Sequence, residues 1–301
     1  MSLVATITVP NSTVSMALSG NGATLAVSGA YGDGHVSFID TATGAVSGPV
    51  AVGNGGLVSI GPDGKVAYVS QNFGSYVLYV VNVPALKVVA QVLTGDVLAT
   101  IVSPNGGELY PLLAAGSSAE VLQQGSVTPT KLLLTAAGSD LLALSPDGQT
   151  LYSTDYMEGL WATSTTTGRV VKMMITQGWV YGMAVSPDGS TIYANLGGTR
   201  MAKVNASTGA IEKTISLPAQ GQYYTVAITP AGDKLYVLGS STGLNNTLVI
   251  DTSTLAITAT IAGAGGSGLA ISPSGKLSIS ARLPQSMSSR PPPIRSLVRS
   301  P

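Results

Sequence analysis

The stretch Ala143–Ser153 reads ALSPDGQTLYS, two short apolar runs around Ser-Pro-Asp-Gly, and it returns as AVSPDGSTIYA at Ala184–Ala194. Weaker copies read SGNG, GPDG, SPNG, TPAG and SPSG, ending on Gly22, Gly64, Gly106, Gly232 and Gly275. With Gly148 and Gly189 included, successive glycines are 42, 42, 42, 41, 43 and 43 residues apart. A register kept six times running marks an internal repeat. Each residue of the phrase has a turn-making role. Proline presets φ near −65°, Asp or Asn suits the third position, and glycine accepts φ > 0 at the fourth.

A short apolar strand precedes each turn, as in Val226–Pro230 (VAITP), and a strand of period two follows it, as in Lys234–Leu238 (KLYVL). After a variable loop comes a third strand, such as Val36–Asp40 (VSFID) or Thr247–Asp251 (TLVID). It runs into a second turn signal, DTATG at Asp40–Gly44, NASTG at Asn205–Gly209 or DTSTL at Asp251–Leu255. A fourth strand such as Ala256–Gly263 closes the unit. Four strands per repeat, seven times, predict an all-β, seven-bladed β-propeller of four-stranded antiparallel blades.

Composition narrows function mainly by exclusion. Fourteen basic residues balance fourteen acidic ones in 301, so no global field draws in nucleic acid or an anionic membrane. The absence of cysteine excludes disulfides and thiolate metal sites. No apolar run approaches the ~20 residues of a spanning helix, and MSLVATITVPNST has neither the basic nor the continuous apolar region of a signal peptide. Low charge and Ser/Thr/Gly/Ala richness suit an exported or cell-surface domain, with a cytoplasmic location left open.

The phrase SPDG…LYV, followed by V-x-x-ID-T-x-TG, resembles the YVTN-repeat β-propellers, with Tyr68-Val69-Ser70-Gln71-Asn72 and Tyr193-Ala194-Asn195 matching the eponymous tetrapeptide. The resemblance covers the chain to about residue 280. It implies an extracytoplasmic or surface protein and little chemistry. Blade 3 departs from the pattern, since Pro111 follows Tyr110 and the third strand at Ala119–Gln123 lacks the Asp/Thr turn.

Only 26 residues follow Gly275, too few for three more regular strands and their loops. Leu3–Val9 matches a fourth strand, so the last blade is expected to combine N- and C-terminal strands. This assigns residues 1–281 to the propeller and 282–301 to a Pro/Arg-rich tail. The tail carries four of the six arginines and no acid. Three readings stay open for it: the missing strand, within Ile294–Ser300; a disordered or non-native end; or a basic docking tail.

Most motif matches fail on context. Gly263–Gly268 (GAGGSG) fits a dinucleotide fingerprint but leads into a strand rather than a helix. Gly239–Gly243 (GSSTG) fits a nucleophile elbow but lies between strands, and the single histidine, His35, is in blade 1. One histidine and no cysteine leave oxygen ligands only, and no calcium loop appears. No metal or cofactor is expected. The aspartates Asp40, Asp63, Asp147, Asp188 and Asp251 are explained by turns.

The aromatics are more informative. Tyr68, Tyr110, Tyr152, Tyr193 and Tyr236 share one repeat position and read as core. Tyr31, Tyr76, Tyr156, Tyr181, Tyr223 and Tyr224 fall in connections, with Phe73 and Trp179. In a meander these connections emerge on the face opposite the SPDG and DTATG turns, where function tends to sit. The expected ligand-binding set is Trp179, Tyr181, Tyr223, Tyr224, Tyr156, Glu158 and Arg200. It serves a non-catalytic, monomeric scaffold that recognises a protein, peptide or glycan. The competing reading is that these aromatics only plug the channel mouth. An alternative function is a lactonase-like hydrolase drawing on Asp33, His35, Asp96, Asp140, Asp155, Glu158 and Arg200. Nucleic-acid binding is disfavoured because Arg200 is the lone basic residue among the singled-out loops.

Overall fold

A computed structural model describes residues 3–10, 13–29, 32–71, 77–113, 118–135, 141–155, 159–175, 179–197, 199–218, 223–239, 246–262, 268–275, 277–281 and 293–299. Every regular element among them is a strand, beginning with β1 (Leu3–Thr8). Blade 1 is β2 (Thr13–Leu18), β3 (Thr24–Gly29), β4 (His35–Asp40) and β5 (Val46–Ala51); blade 2 is β6 (Gly56–Ile60), β7 (Val66–Gln71), β8 (Val77–Asn82) and β9 (Lys87–Leu93). Blade 3 is β10 (Val97–Val102), β11 (Glu108–Leu113), β12 (Ser118–Gln123) and β13 (Lys131–Leu134); blade 4 is β14 (Leu142–Leu144), β15 (Thr150–Asp155), β16 (Gly159–Ser164) and β17 (Val170–Met173). Blade 5 is β18 (Val180–Val185), β19 (Thr191–Leu196), β20 (Arg200–Asn205) and β21 (Ile211–Ser216); blade 6 is β22 (Tyr223–Ile228), β23 (Lys234–Gly239), β24 (Asn246–Asp251) and β25 (Ile257–Ala262).

Six blades, rather than seven, are thus built from four sequence-consecutive antiparallel strands. The seventh repeat, around Gly275, does not build a blade of this kind from consecutive strands. One further sheet is composite, joining β26 (Gly268–Ile271), β27 (Leu277–Ala281) and β28 (Pro293–Arg299) to β1 in the order β1-β28-β27-β26. The first strands of successive sheets neighbour one another in the circuit β2, β6, β10, β14, β18, β22, β26 and back to β2.

The turn glycines behave as their chemistry requires. Gly22, Gly64, Gly106, Gly148, Gly189, Gly232 and Gly275 all have φ between 67° and 77°, a region open to glycine at no steric cost. In Ser145-Pro-Asp-Gly the Ser145 hydroxyl donates to Asp147 Oδ1 at 2.5 Å and accepts from the Thr150 amide at 2.9 Å. Ser103 and Ser186 repeat the arrangement. The turns also stack sideways: a Cβ on Gly148 would meet Pro104 of the preceding blade at 3.3 Å, and one on Gly189 would meet Pro146 at 3.4 Å. Blade 1 has Gly20 at the proline position because Pro62 already fills that space, 2.9 Å from where a Cβ would lie.

The core is divided among the sheet-to-sheet interfaces. Tyr68 packs with Leu109 and Leu122 of the next blade, Tyr110 with Leu151, Tyr152 with Ile192 and Val204, Tyr193 with Leu235 and Ile250, and Tyr236 with Leu269 and Ile271. All five tyrosines are buried, as their shared register predicts. Blade 1 uses Ala26 at this position, against Val58 and Val69. Val9 and Ile7 pack on Leu25 and Val27, which joins the composite sheet to blade 1.

Blade 3 opens at the departure seen in its sequence. The β11–β12 pairing skips Tyr110 and Pro111, because proline brings no N–H to the ladder. Three lysines on outer strands clasp the next blade's outer turn. Lys131 Nζ donates to the Thr165 carbonyl, Lys172 Nζ to that of Ser207, and Lys213 Nζ to that of Thr254 at 2.8 Å.

The turn aspartates add an acid-sensitive contribution to the fold. Asp188 is held down to about 2, first by the Ser186 hydroxyl and then by the Ser190 amide and hydroxyl. Asp251 is held down to about 2 by the Ser253 hydroxyl and then by the Thr254 amide and hydroxyl. A carboxylate more acidic when folded stabilises the fold above its unfolded value near 3.8 and loses that contribution as pH falls towards 2. Urea midpoints should therefore be flat from neutral pH to about 4 and fall below it, with a shallower fall in Asp188→Asn/Asp251→Asn. An equally steep fall in that variant would assign acid lability elsewhere.

Candidate functional site

Consecutive antiparallel order puts the first-to-second and third-to-fourth strand turns on one face of the ring. The second-to-third strand loops and the blade-to-blade connections lie on the other. That second face carries the ends of β18, β19, β20 and β22 in blades 5 and 6. Trp179 directly precedes β18, and its carbonyl accepts the Gly197 amide at 3.0 Å. Tyr181 meets it edge to face, ring centroids 5.7 Å apart at 61°. Trp179 is 50% exposed, unlike the five buried repeat tyrosines. Arg200 opens β20 opposite Leu196 and Ser216, exposed, with no side-chain partner among the described residues.

Tyr181, Tyr223 and Tyr224 lie in strands rather than in connections. The β18 ladder pairs Val180 with Leu196 and then Gly182 with Asn195, which leaves Tyr181 as a bulge. The β22 ladder pairs Tyr223 with Gly239 and then Thr225 with Leu238, which leaves Tyr224 as a bulge. The bulges break the period-two pattern by which a strand is recognised in sequence. Val14 in β2 and Leu98 in β10 are bulged likewise. All four stand eight residues before their turn glycine. Gly56 occupies that register in blade 2, where the ladder runs without a break. The bulge residues therefore circle the axis at one level, on the loop-bearing face.

Tyr223 is only 5% exposed. Its ring lies against Gly239, where a Cβ would approach to 3.0 Å, and burial raises its phenol pKa. It packs within the blade 5–6 interface. Asn195, which sequence reasoning missed, supports it: Nδ2 donates to the Tyr223 carbonyl, while the buried Oδ1 has no partner among the described residues. The signal available was register, since Ser28, Ser70 and Thr154 are buried polar residues at the same repeat position. Tyr156 and Glu158 lie outside the described residues, as do Tyr31, Tyr76, Phe73 and Asp140.

The groups considered for hydrolysis are dispersed where they are described. His35 Nδ1 faces Asp33 Oδ1 at 3.1 Å in blade 1. Asp96 precedes β10 in blade 3, Asp155 ends β15 in blade 4, and Arg200 is in blade 5. Among the described residues no three His, Asp or Glu side chains converge as metal ligands. Asp40, Asp147, Asp188 and Asp251 are tied into turns on the far face.

No family model matches the chain, and no curated protein sequence matches it either. Solved structures do. A chain of Kuenenia stuttgartiensis hydrazine synthase superposes with a TM-score of 0.81 at 21% identity, covering 98% of this chain and 97% of that one. A chain from a crystal structure of the mitotic checkpoint complex superposes with a TM-score of 0.81 at 16% identity, covering 99% and 94%. The fold is a β-propeller. Identities this low carry the architecture of the propeller alone.

Proposed function

We propose that this propeller is a non-catalytic recognition scaffold that binds a protein, peptide or glycan through the loop-bearing face of blades 4 to 6. The half-exposed Trp179, edge to face with Tyr181 at the hairpin end that also carries Arg200, an arginine with no side-chain partner among the described residues, carries this reading. Trp, Tyr and Arg are the residues most enriched where interfaces concentrate binding energy. A structural neighbour taken from a protein complex is consistent with a protein partner.

The ring is seven-bladed in this reading, with the composite sheet as its last blade and residues 293–299 as that blade's third strand. The chain is a YVTN-like repeat protein acting as a monomer at an extracytoplasmic or surface location. The repeat phrases and the low charge support these assignments. Trp179→Ala should weaken binding of a captured partner at least about tenfold, the range of an interface hot spot, and leave the thermal midpoint unchanged. Undiminished binding in that variant would remove the face from consideration. Tyr223 is unsuited to the same test, because it is buried and its truncation would disturb the blade interface.

A further inference from the structure

On the flank of the ring one carboxylate has no counter-charge among the described residues. Glu120 is the third residue of β12, a position held in the other blades by Ser37, Tyr79, Trp161, Ala202 and Leu248. Side chains along β12 alternate between its neighbours. Ala119 and Val121 pack with Leu151 of blade 4, whereas Leu122 packs with Tyr68, Leu78 and Val92 of blade 2. Glu120 therefore faces blade 2. It is half-buried, and its Oε2 is buried with no hydrogen-bond partner among the described residues. The ion pairs among those residues are Asp33 with His35, Asp63 with Lys65, and Glu212 with Lys203, and none of them uses it. Burial raises its carboxyl pKa.

Leu132 and Leu134 lie opposite Glu120 and Ser118 in register and so share this flank, 57% and 51% exposed. The cleft between blades 2 and 3 is thus open at its rim, apolar along β13 and acidic within. It also lacks the cation found in the three clefts that follow. Lys131, Lys172 and Lys213 each lie opposite the fourth residue of a third strand and clasp the next blade. In blade 2 that register falls to Ala90, opposite Val80. An unpaired carboxylate at an apolar site destabilises a fold. The position needs no charge for packing, since Ala202 and Leu248 serve there in blades 5 and 6.

We propose that the cleft between blades 2 and 3 receives a lysine side chain from an extended segment of a partner protein. The alkyl stem lies along Leu132 and Leu134, and the ammonium pairs with the Glu120 carboxylate. Apolar residues two positions to either side of the lysine fall on the same face of an extended segment and cover the two leucines. Lysine fits better than arginine, because a guanidinium grips both oxygens of a carboxylate and Oε2 is buried. The site lies on the flank of the ring, apart from the loop-bearing face, and does not rest on the reading above.

Fluorescein-labelled peptides Ser-Leu-Gly-X-Gly-Leu-Ser, with X as lysine, norleucine, arginine or glutamate, are titrated with the full chain and followed by anisotropy. The lysine peptide should bind at least about tenfold tighter than the norleucine peptide, with arginine between them and glutamate weakest. Glu120→Gln should make the lysine and norleucine peptides equal. Glu120→Leu should do the same and raise the thermal midpoint by about 2 °C or more, because it removes an unpaired charge. Leu132→Ser/Leu134→Ser should weaken both peptides and keep their ratio, and Trp179→Ala should change neither. Equal binding of the lysine and norleucine peptides, tighter binding of the arginine peptide, or a preference that survives Glu120→Gln would overturn the proposal. A midpoint lowered by Glu120→Leu would also overturn it, by making the carboxylate a structural tie between blades. Loss of the lysine peptide in Trp179→Ala would overturn it by moving the site to the loop-bearing face.

Discussion

Gly159→Ala should be among the most damaging single substitutions in this chain. Gly159 opens β16 with φ of +95°, and a Cβ built there would sit 1.4 Å from the carbonyl oxygen of Ile175. That oxygen is fixed, because it accepts the Leu160 amide at 3.0 Å while the Met174 amide donates back to Leu160 at 2.7 Å. The methyl can enter only if the end of β16 parts from the segment after β17. The cost combines backbone strain of about 1–3 kcal/mol with two hydrogen bonds worth about 0.5–1.5 kcal/mol each. A loss of about 2–6 kcal/mol should appear as a thermal midpoint lower by about 4 °C or more, or as insoluble expression. Gly32→Ala is the control, since no atom lies within 4 Å of its Cβ position. It meets only the strain of its φ of +88° and should be clearly milder.

The second large effect is expected at the blade interfaces. Tyr236 is 1% exposed and packs with Val249 and Ile261 of its own blade and with Leu269 and Ile271 of the composite sheet. Truncating a buried aromatic costs about 3–5 kcal/mol, through lost burial plus the cavity left behind. Tyr236→Ala should therefore lower the thermal midpoint by a margin similar to Gly159→Ala. Its position adds a specific consequence: the interface that loosens is the one between blade 6 and the sheet that joins the chain ends. Limited proteolysis of Tyr236→Ala should cut first among residues 263–299. Scattered cleavage across blades 1 to 4 would show that the ring does not open at this seam.

The two kinds of glycine explain why much of the fold is readable from sequence. Gly148 and its equivalents are required locally, by a positive φ within a four-residue phrase, so spacing alone reveals them. Gly159 is required by Ile175, across a strand pair, and leaves no local signature. The repeat tyrosines were legible because register and period two agree. Tyr181, Tyr223 and Tyr224 were not, because the bulges at Tyr181 and Tyr224 break the alternation where each strand begins. The lysine clasps of Lys131, Lys172 and Lys213 span 34 to 41 residues, close to one repeat, and are visible only when neighbouring blades are set side by side. In the candidate site, sequence picked out Trp179, Tyr181 and Arg200, which the fold brings to one hairpin end. It did not separate them from Tyr223, whose burial depends on the space above Gly239, nor did it find Asn195 beneath.

The turn phrase identifies the architecture and directs attention away from itself. Its aspartates are consumed by serine hydroxyls and backbone amides, and its prolines by the glycines of the next blade. The loop-bearing face instead leaves an indole half in water and an arginine without a counter-charge among the described residues. Hydrogen-exchange mapping of the partner-bound against the free chain tests this division most directly. The account predicts slowed exchange at residues 179–182 and 195–201, with no change in the turns at 145–150 and 186–191. Protection on those turns, with 179–182 and 195–201 unaffected, would contradict it.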